Sequence, residues 1–273
     1  MNNKHRSDFD NLADHLLSVV RKRPVVFVIN PGNWGDALIR EGAECFLRHY
    51  EIDYVRTHLK DFERQRIDLG SLKRQIGHDD PVMVYNGCGA FTDHYSLVDR
   101  VQRLASHFSS VMLLPCTVNT RLRLDRFPSD THVVVRDRFE SQAALPDAPF
   151  CHDMAFFLDL VGQPPSRSAG YFFREDKEAP TEAISVPEGA RNRDLSKGGK
   201  AQDPIEGFVR AVADCAEVHT NRLHIGITAA LLGRKTFLSG NDYFKIRAIH
   251  DSSIDGTYPS VRFVTPPFEE AAR

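Results

Sequence analysis

PVVFVINPGNWGDALIREGAECFLRHY, residues 24–50, changes periodicity within a few residues. VVFVIN is apolar, β-branched and too short for a helix, as a strand buried on both faces must be. PGNWGD turns the chain. ALIREGAECFLRHY then carries its apolar residues at helical spacing. A buried strand, a tight turn and an amphipathic helix make the opening of a βαβ unit. That unit predicts a parallel sheet.

The same grammar continues downstream. IDYVRTH, PVMVYNG, SSVMLLPCT and THVVVRD read as strands, and LGSLKRQI, HYSLVDRVQRLASHF and SQAAL as helices. FCHDMAFFLD reads as a further strand-like segment. Ahead of the first strand, Ser7 is placed to cap a helix carrying Leu12, Leu16, Val19 and Val20. VGQPPSRSAG breaks the pattern with the residues of a linker. Beyond GYFFRED, the polar stretch 175–203 is the most loop-like part of the chain. PIEGFVRAVADC, AEVHT, RLHIGITAALLG, KTFLSG, NDYFKIRAIHDS and PSVRFVTPP then alternate helix and strand, with Gly233 placed to end the third of these. The predicted fold is α/β, with two Rossmann-like units facing a cleft. They comprise residues 1–160 with the leading helix, a linker at 161–168, and a short second unit at 169–273.

Composition narrows the functions. The 273 residues carry 35 Lys+Arg against 37 Asp+Glu, a net charge of −2. No strong field draws nucleic acid or an anionic membrane. Five cysteines without CxxC spacing argue for reduced thiols rather than a disulfide framework or a zinc site. No apolar run approaches the roughly 20 residues of a membrane span. The N-terminus lacks the apolar core of a signal peptide. The expectation is a cytoplasmic protein with at most peripheral membrane contact, at the inner face of the cell membrane.

In parallel sheets, ligands bind beyond the carboxyl ends of the strands. The polar residues gather there. Asn33, Gly35 and Asp36 follow the first strand. Asn86, Gly87 and Gly89 follow PVMVY, and Pro115, Cys116 and Thr117 follow VMLL. Arg136 and Arg138 end VVV, and Asp153 follows Cys151. Asn241 and Lys245 follow KTFLS. GNWGD reads either as a tight turn with Asp36 capping the next helix, or as Asn and Asp aimed at substrate hydroxyls. It is neither a dinucleotide fingerprint nor a Walker A motif. Cys88 and Cys116 read as small buried residues rather than nucleophiles. Arg136 and Arg138, two apart, would share a face suited to a carboxylate or phosphate; an Arg–Asp surface network through Asp137 is the alternative. Arg222 and His224 open the helix RLHIGITAALLG after Asn221. A helix N-terminus favours anions over cations. Cationic side chains there point to a bound anion.

GNWGDALI, NGCGA, VVVRD with its following Ser141, HDMAFFLD, TNRLHIGITAALLG and GNDYFK, in this order, resemble the polysaccharide pyruvyl transferase family. The likeness runs from about Val25 to about His250, and the Arg222-Leu223-His224 triplet is its most specific piece. The resemblance implies a fold similar to the GT-B glycosyltransferases. It also implies transfer of a pyruvyl group from phosphoenolpyruvate to a sugar as a ketal. His224 would then do acid/base work, and Arg222 would hold the anionic donor, with Lys245, Asn221 and Asn241 from the second unit and Arg136 from the first. Asn33, Gly35, Asp36, Gly87, Gly89 and Asp153 would face the acceptor, with Asp36 or Asp153 as alternative base. Gly87-Cys88-Gly89 and Pro115-Cys116-Thr117 depart from the family's usual triple glycine and Pro-Gln-Ser. No metal and no cofactor beyond phosphoenolpyruvate as co-substrate is implied. The partner would be a saccharide, with a lipid-linked repeat unit as one form. A nucleotide-sugar glycosyltransferase and a non-catalytic member of a polysaccharide assembly system are the competing expectations.

Overall fold

The computed structural model describes residues 3–92, 96–119, 124–176, 179–181, 184 and 186–265. The expected helix over 94–108 loses its first two positions, His94 and Tyr95, to the undescribed residues. The end of PSVRFVTPP lies outside them too.

The first sheet is wholly parallel. Its strands are β1 (Val25–Ile29), β2 (Tyr54–His58), β3 (Val82–Tyr85), β4 (Cys88–Phe91), β5 (Ser110–Val118) and β6 (Asp130–Val135). Across the sheet the order is β2-β1-β3-β5-β6, and β4 continues β3 along β5. NGCGA therefore stays with the sheet. The chain bends at Gly87 (φ 78°) and rejoins β5 at Cys88↔Cys116. A Cβ on Gly87 would stand 2.6 Å from the Pro115 carbonyl oxygen, so the bend requires glycine.

β1 is buried along its whole length, as its apolar run requires. Val25, Phe27 and Ile29 enter one hydrophobic cluster, and Val26 and Val28 enter another on the opposite face. Helices α2 (Trp34–His49) and α1 (Arg6–Val20) contribute to the first cluster, and α5 (Leu97–Ala105) to the second. The short helices α3 (Leu59–Glu63), α4 (Leu69–Ile76) and α6 (Glu140–Ala144) complete this half. Ser7 does not cap α1: the helix starts at Arg6, its N-cap is His5, and the cap makes no side-chain bond.

The second sheet, β7 (Arg167–Phe172), β8 (Cys215–Thr220), β9 (Lys235–Ser239) and β10 (Val261–Val264), is also parallel and runs in sequence order. Its crossovers hold α7 (Glu206–Ala213), α8 (Leu223–Leu231) and α9 (Lys245–Ile249). Right-handed crossovers between consecutive neighbouring strands put such helices on one face. That face meets the first half: α8 contacts α2, and one apolar cluster runs from Phe9 and Phe46 through Ile225 and Ile227 to Val261.

HDMAFF is not a strand. Met154–Phe157 form a 3-10 turn, with the Asp153 carboxylate accepting from Ala155 N–H. A short apolar run does not distinguish strand from buried turn. Here the capping carboxylate decides, and the turn packs tightly on α2. A Cβ on Gly42 would stand 1.9 Å from the Met154 carbonyl oxygen.

Candidate active site

In the first sheet the chain steps from β1 out to β2 and returns beside β1 as β3. That reversal is the switch point at which parallel sheets open a crevice. A cavity of about 380 Å³ lies there, lined by Asn30 after β1 and by Gly89 and Ala90 in β4. The opposite wall comes from the second half: Arg174 after β7, Asn221 and Arg222 after β8, His224 in α8 and Lys245 in α9.

The N-terminus of α2 forms one rim. Asn33 Oδ1 accepts from Gly35 N–H (2.8 Å) and the Asp36 carboxylate accepts from Asn33 N–H (2.8 Å), a reciprocal capping box. Of the two readings of GNWGD, the cap is the one observed. Asp36 still lines the cavity, but one of its oxygens already serves the backbone. A Cβ on Gly32 would overlap that carboxylate, and one on Gly35 would stand 2.6 Å from His224 Nδ1. Both glycines are close-approach positions: one admits the cap, the other admits the imidazole.

His224 Nε2 faces Asp153 Oδ2 at 3.7 Å and has no hydrogen-bond partner. Asp153 is fully buried and paired with Arg136, whose Nε donates to Thr117 Oγ1 at 2.8 Å. Burial alone would raise the Asp153 pKa. The Arg136 charge and the His224 ring overcome it and hold the carboxyl well below its usual range. Asp153 is therefore a permanent anion behind the imidazole. It is not a base facing an acceptor, and its expected place on the acceptor wall is corrected accordingly.

Arg222 is the N-cap residue of α8, but its guanidinium points at carboxylates. Nε donates to Asp194 Oδ1 at 3.0 Å, Nη2 pairs with Asp194 Oδ2, and Nη2 lies 2.9 Å from Asp176 Oδ2. Asp194 keeps its charge because the Arg222 and Ser196 hydrogen bonds outweigh its desolvation. Arg222, expected to hold an anionic donor, already has two anionic partners within the chain. Asn221 is fully buried; Oδ1 accepts from Arg174 N–H at 2.7 Å, and Nδ2 has no partner. Lys245 is 8% exposed, with Nζ over the Tyr243 ring at 4.9 Å. A Cβ on Gly89 would strike Arg136 Nη2 and come within 3.3 Å of Lys245 Cδ, so glycine lets both cations reach the wall.

Four sequence-level placements do not hold. Arg138 is exposed, over the Phe150 ring at 3.9 Å, and does not join Arg136, because the chain leaves the strand after Val135. Asp137 forms no surface network; it is buried and holds Ser141. Gly87 and Asn241 stand outside the cavity lining, one wedged against β5 and the other with its amide atoms buried and unpartnered. Cys88 and Cys116 are fully buried, which pushes the Cys88 thiol up to about 12 and the Cys116 thiol well above its ordinary value.

The structure adds wall residues that sequence reasoning passed over. Asn30 and Arg174 end apolar strands, and the rule used for their neighbours would have found them. Asp176 and Ser196 come from the polar stretch 175–203, and Arg100 from α5. The stretch is anchored by Trp34: Gly198, Gly199 and Gly207 pack against its ring, and Nε1 donates to the Pro204 carbonyl at 2.8 Å.

Among the described residues no cluster of three or more His, Cys, Asp or Glu is arranged to hold a metal ion, and no helix is long and apolar enough to cross a membrane. No protein-family model matches the chain, and no curated protein matches it. Among solved structures, a galactofuranose binding protein aligns over 80% of this chain and 75% of its own at 11% identity, with a TM-score of 0.30, too low for a shared architecture. A functionally uncharacterized protein from Klebsiella pneumoniae subsp. pneumoniae NTUH-K2044 aligns over 97% of this chain and 99% of its own, with a TM-score of 0.73 at 21% identity. That likeness establishes a common fold and says nothing of chemistry.

Proposed function

We propose that the chain is a phosphoenolpyruvate-dependent pyruvyl transferase acting on a saccharide, with its two sheets in a GT-B-like arrangement. The observation that carries the reading is the cavity itself. Arg100, Arg136, Arg174, Arg222 and Lys245 line it together with His224, at the N-termini of two helices. Such a wall suits a small, highly charged oxyanion. The cavity, about 380 Å³, is near the lower end of small-molecule sites. It suits phosphoenolpyruvate and the edge of a sugar better than a nucleotide sugar, which carries a base, a ribose and two phosphates.

In this reading His224, with the Asp153 anion behind it, delivers a proton to the methylene carbon of phosphoenolpyruvate. A sugar hydroxyl attacks the neighbouring carbon and returns its proton to His224. Phosphate then leaves, and a second hydroxyl closes the ketal, its proton departing with the phosphate. Asp153 stabilises the imidazolium at a distance, as a buried carboxylate behind a histidine does. The acceptor enters along the α2 rim, past Asn33 and Gly89. It would meet the protein in the cytoplasm, at the membrane's inner face when lipid-linked.

Calorimetric titration of phosphoenolpyruvate and, separately, of nucleotide sugars into wild-type and Lys245→Met protein tests this. Saturable phosphoenolpyruvate binding that weakens at least tenfold in the variant is the expected result. Binding of nucleotide sugars alone would replace this reading with glycosyl transfer. Silence from both would favour a non-catalytic member of an assembly system.

A further inference from the structure

Asp176 stands between two guanidiniums in the second-sheet wall. Arg174 Nε lies 3.2 Å from Oδ1, and Arg222 Nη2 lies 2.9 Å from Oδ2. Each arginine therefore ion-pairs with a different oxygen of one carboxylate, and the two bracket it as a clamp would. The two arginine side chains are 9% and 6% exposed, whereas the carboxylate they hold is 37% exposed. All three residues line the cavity.

The second carboxylate on Arg222 behaves differently. The Asp194 side chain is fully buried and is tied to Ser196 Oγ, Ser196 N–H and Glu175 N–H as well as to Arg222. It belongs to the framework. Asp176 is the outer of the two, on the cavity side.

Two guanidiniums this close and this buried repel one another. Burial and then the Arg222 charge pull the Arg174 pKa below its ordinary value. Asp176 brings a negative charge to this pair on the cavity side.

We infer that Arg174 and Arg222 form a subsite for the carboxylate of a small anionic ligand, and that Asp176 occupies it as an internal stand-in which the ligand displaces. The exchange preserves charge: one carboxylate swings toward solvent as another enters. The inference rests on the proposed reading only for the identity of the donor. There it assigns the pyruvyl carboxylate to this clamp and leaves the phosphate to Lys245 and Arg136.

Pyruvate, phosphoenolpyruvate and inorganic phosphate titrated into wild-type, Asp176→Asn and Arg174→Gln/Asp176→Asn proteins test it. Removal of the competing carboxylate should tighten pyruvate at least tenfold, equivalent to about 1.4 kcal/mol, and inorganic phosphate by less than twofold. Loss of Arg174 should abolish the gain. Thermal melts in added pyruvate give a second reading, with a larger rise in Tm for Asp176→Asn than for wild type. Asp176→Ser replaces the asparagine variant if that one folds poorly. Pyruvate binding that tightens without any phosphoenolpyruvate binding would keep the clamp and remove the pyruvyl-transfer reading. Unchanged or weaker pyruvate binding in both charge-removing variants would overturn the clamp. So would equal tightening of phosphate.

Discussion

Acid should destabilise this fold through one histidine at its N-terminus. His5 is 6% exposed; its ring stacks on His152 at 3.6 Å and meets the edge of Phe156 and the Tyr258 ring. His152 is fixed by Asp8 and Ser253, each at 2.8 Å. Burial lowers the His5 pKa from 6.5 to about 3, and the neighbouring His152 and Lys4 push the same way, while Asp8 opposes. The folded state thus binds this proton less readily than the unfolded chain. Stability is complete above pH 6.5 and is lost as pH falls below it. At pH 5 the unfolded histidine is almost wholly protonated and the folded one almost wholly neutral, a difference of about 2 kcal/mol. This figure hardly depends on the folded value, because any pKa well below 5 gives the same result. His152 is also lowered by burial and adds in the same direction. The assay is urea unfolding at pH 7.5 and pH 5, followed by the fluorescence of the single tryptophan. His5→Phe keeps a ring in the stack and removes the titration. Wild type should lose about 2 kcal/mol more than the variant between the two pH values. Equal losses in the two proteins would refute the assignment.

Three further perturbations follow from close approaches and buried charge. Gly35→Ala puts a methyl 2.6 Å from His224 Nδ1, and the ring must shift by about 1 Å; the proposed transfer should fall about 100-fold, measured as phosphate release, with little change in far-UV circular dichroism. Asp153→Asn leaves Arg136 buried without its carboxylate and should cost about 3–5 kcal/mol in urea unfolding. Trp34→Ala removes the ring beneath Gly198, Gly199 and Gly207 and the bond to Pro204; the loss of about 2 kcal/mol should be accompanied by faster proteolysis within residues 186–204.

The parallel sheets were legible because their strands are short apolar runs and their helices carry a different period. Local chemistry was legible too: Gly233 ends α8 with φ 66°, and Asp36 caps α2. FCHDMAFFLD was misread because an apolar run of that length fits both a strand and a buried turn. What separates them is the Asp153 carboxylate on Ala155 N–H and the contact with Gly42, more than 100 residues earlier.

The site divides along the same line. Arg222 and His224 could be placed at the mouth of α8 from sequence, because a helix start is a local event. What those side chains meet there could not. Arg222 finds its framework carboxylate 28 residues upstream, in a stretch whose composition suggests only a loop. His224 finds Asp153 from another segment and fits only because position 35 has no Cβ. A helix dipole favours an anion at that N-terminus, whether the chain or a ligand supplies it. Asp194 and Asp176 are both of the first kind, yet they differ in a way only packing reveals: one carboxylate is sealed in, and the other is more than a third exposed at the cavity. A sealed carboxylate sets the charge of the resting site. An exposed one between two guanidiniums is where the inferred exchange with a ligand's carboxylate would take place.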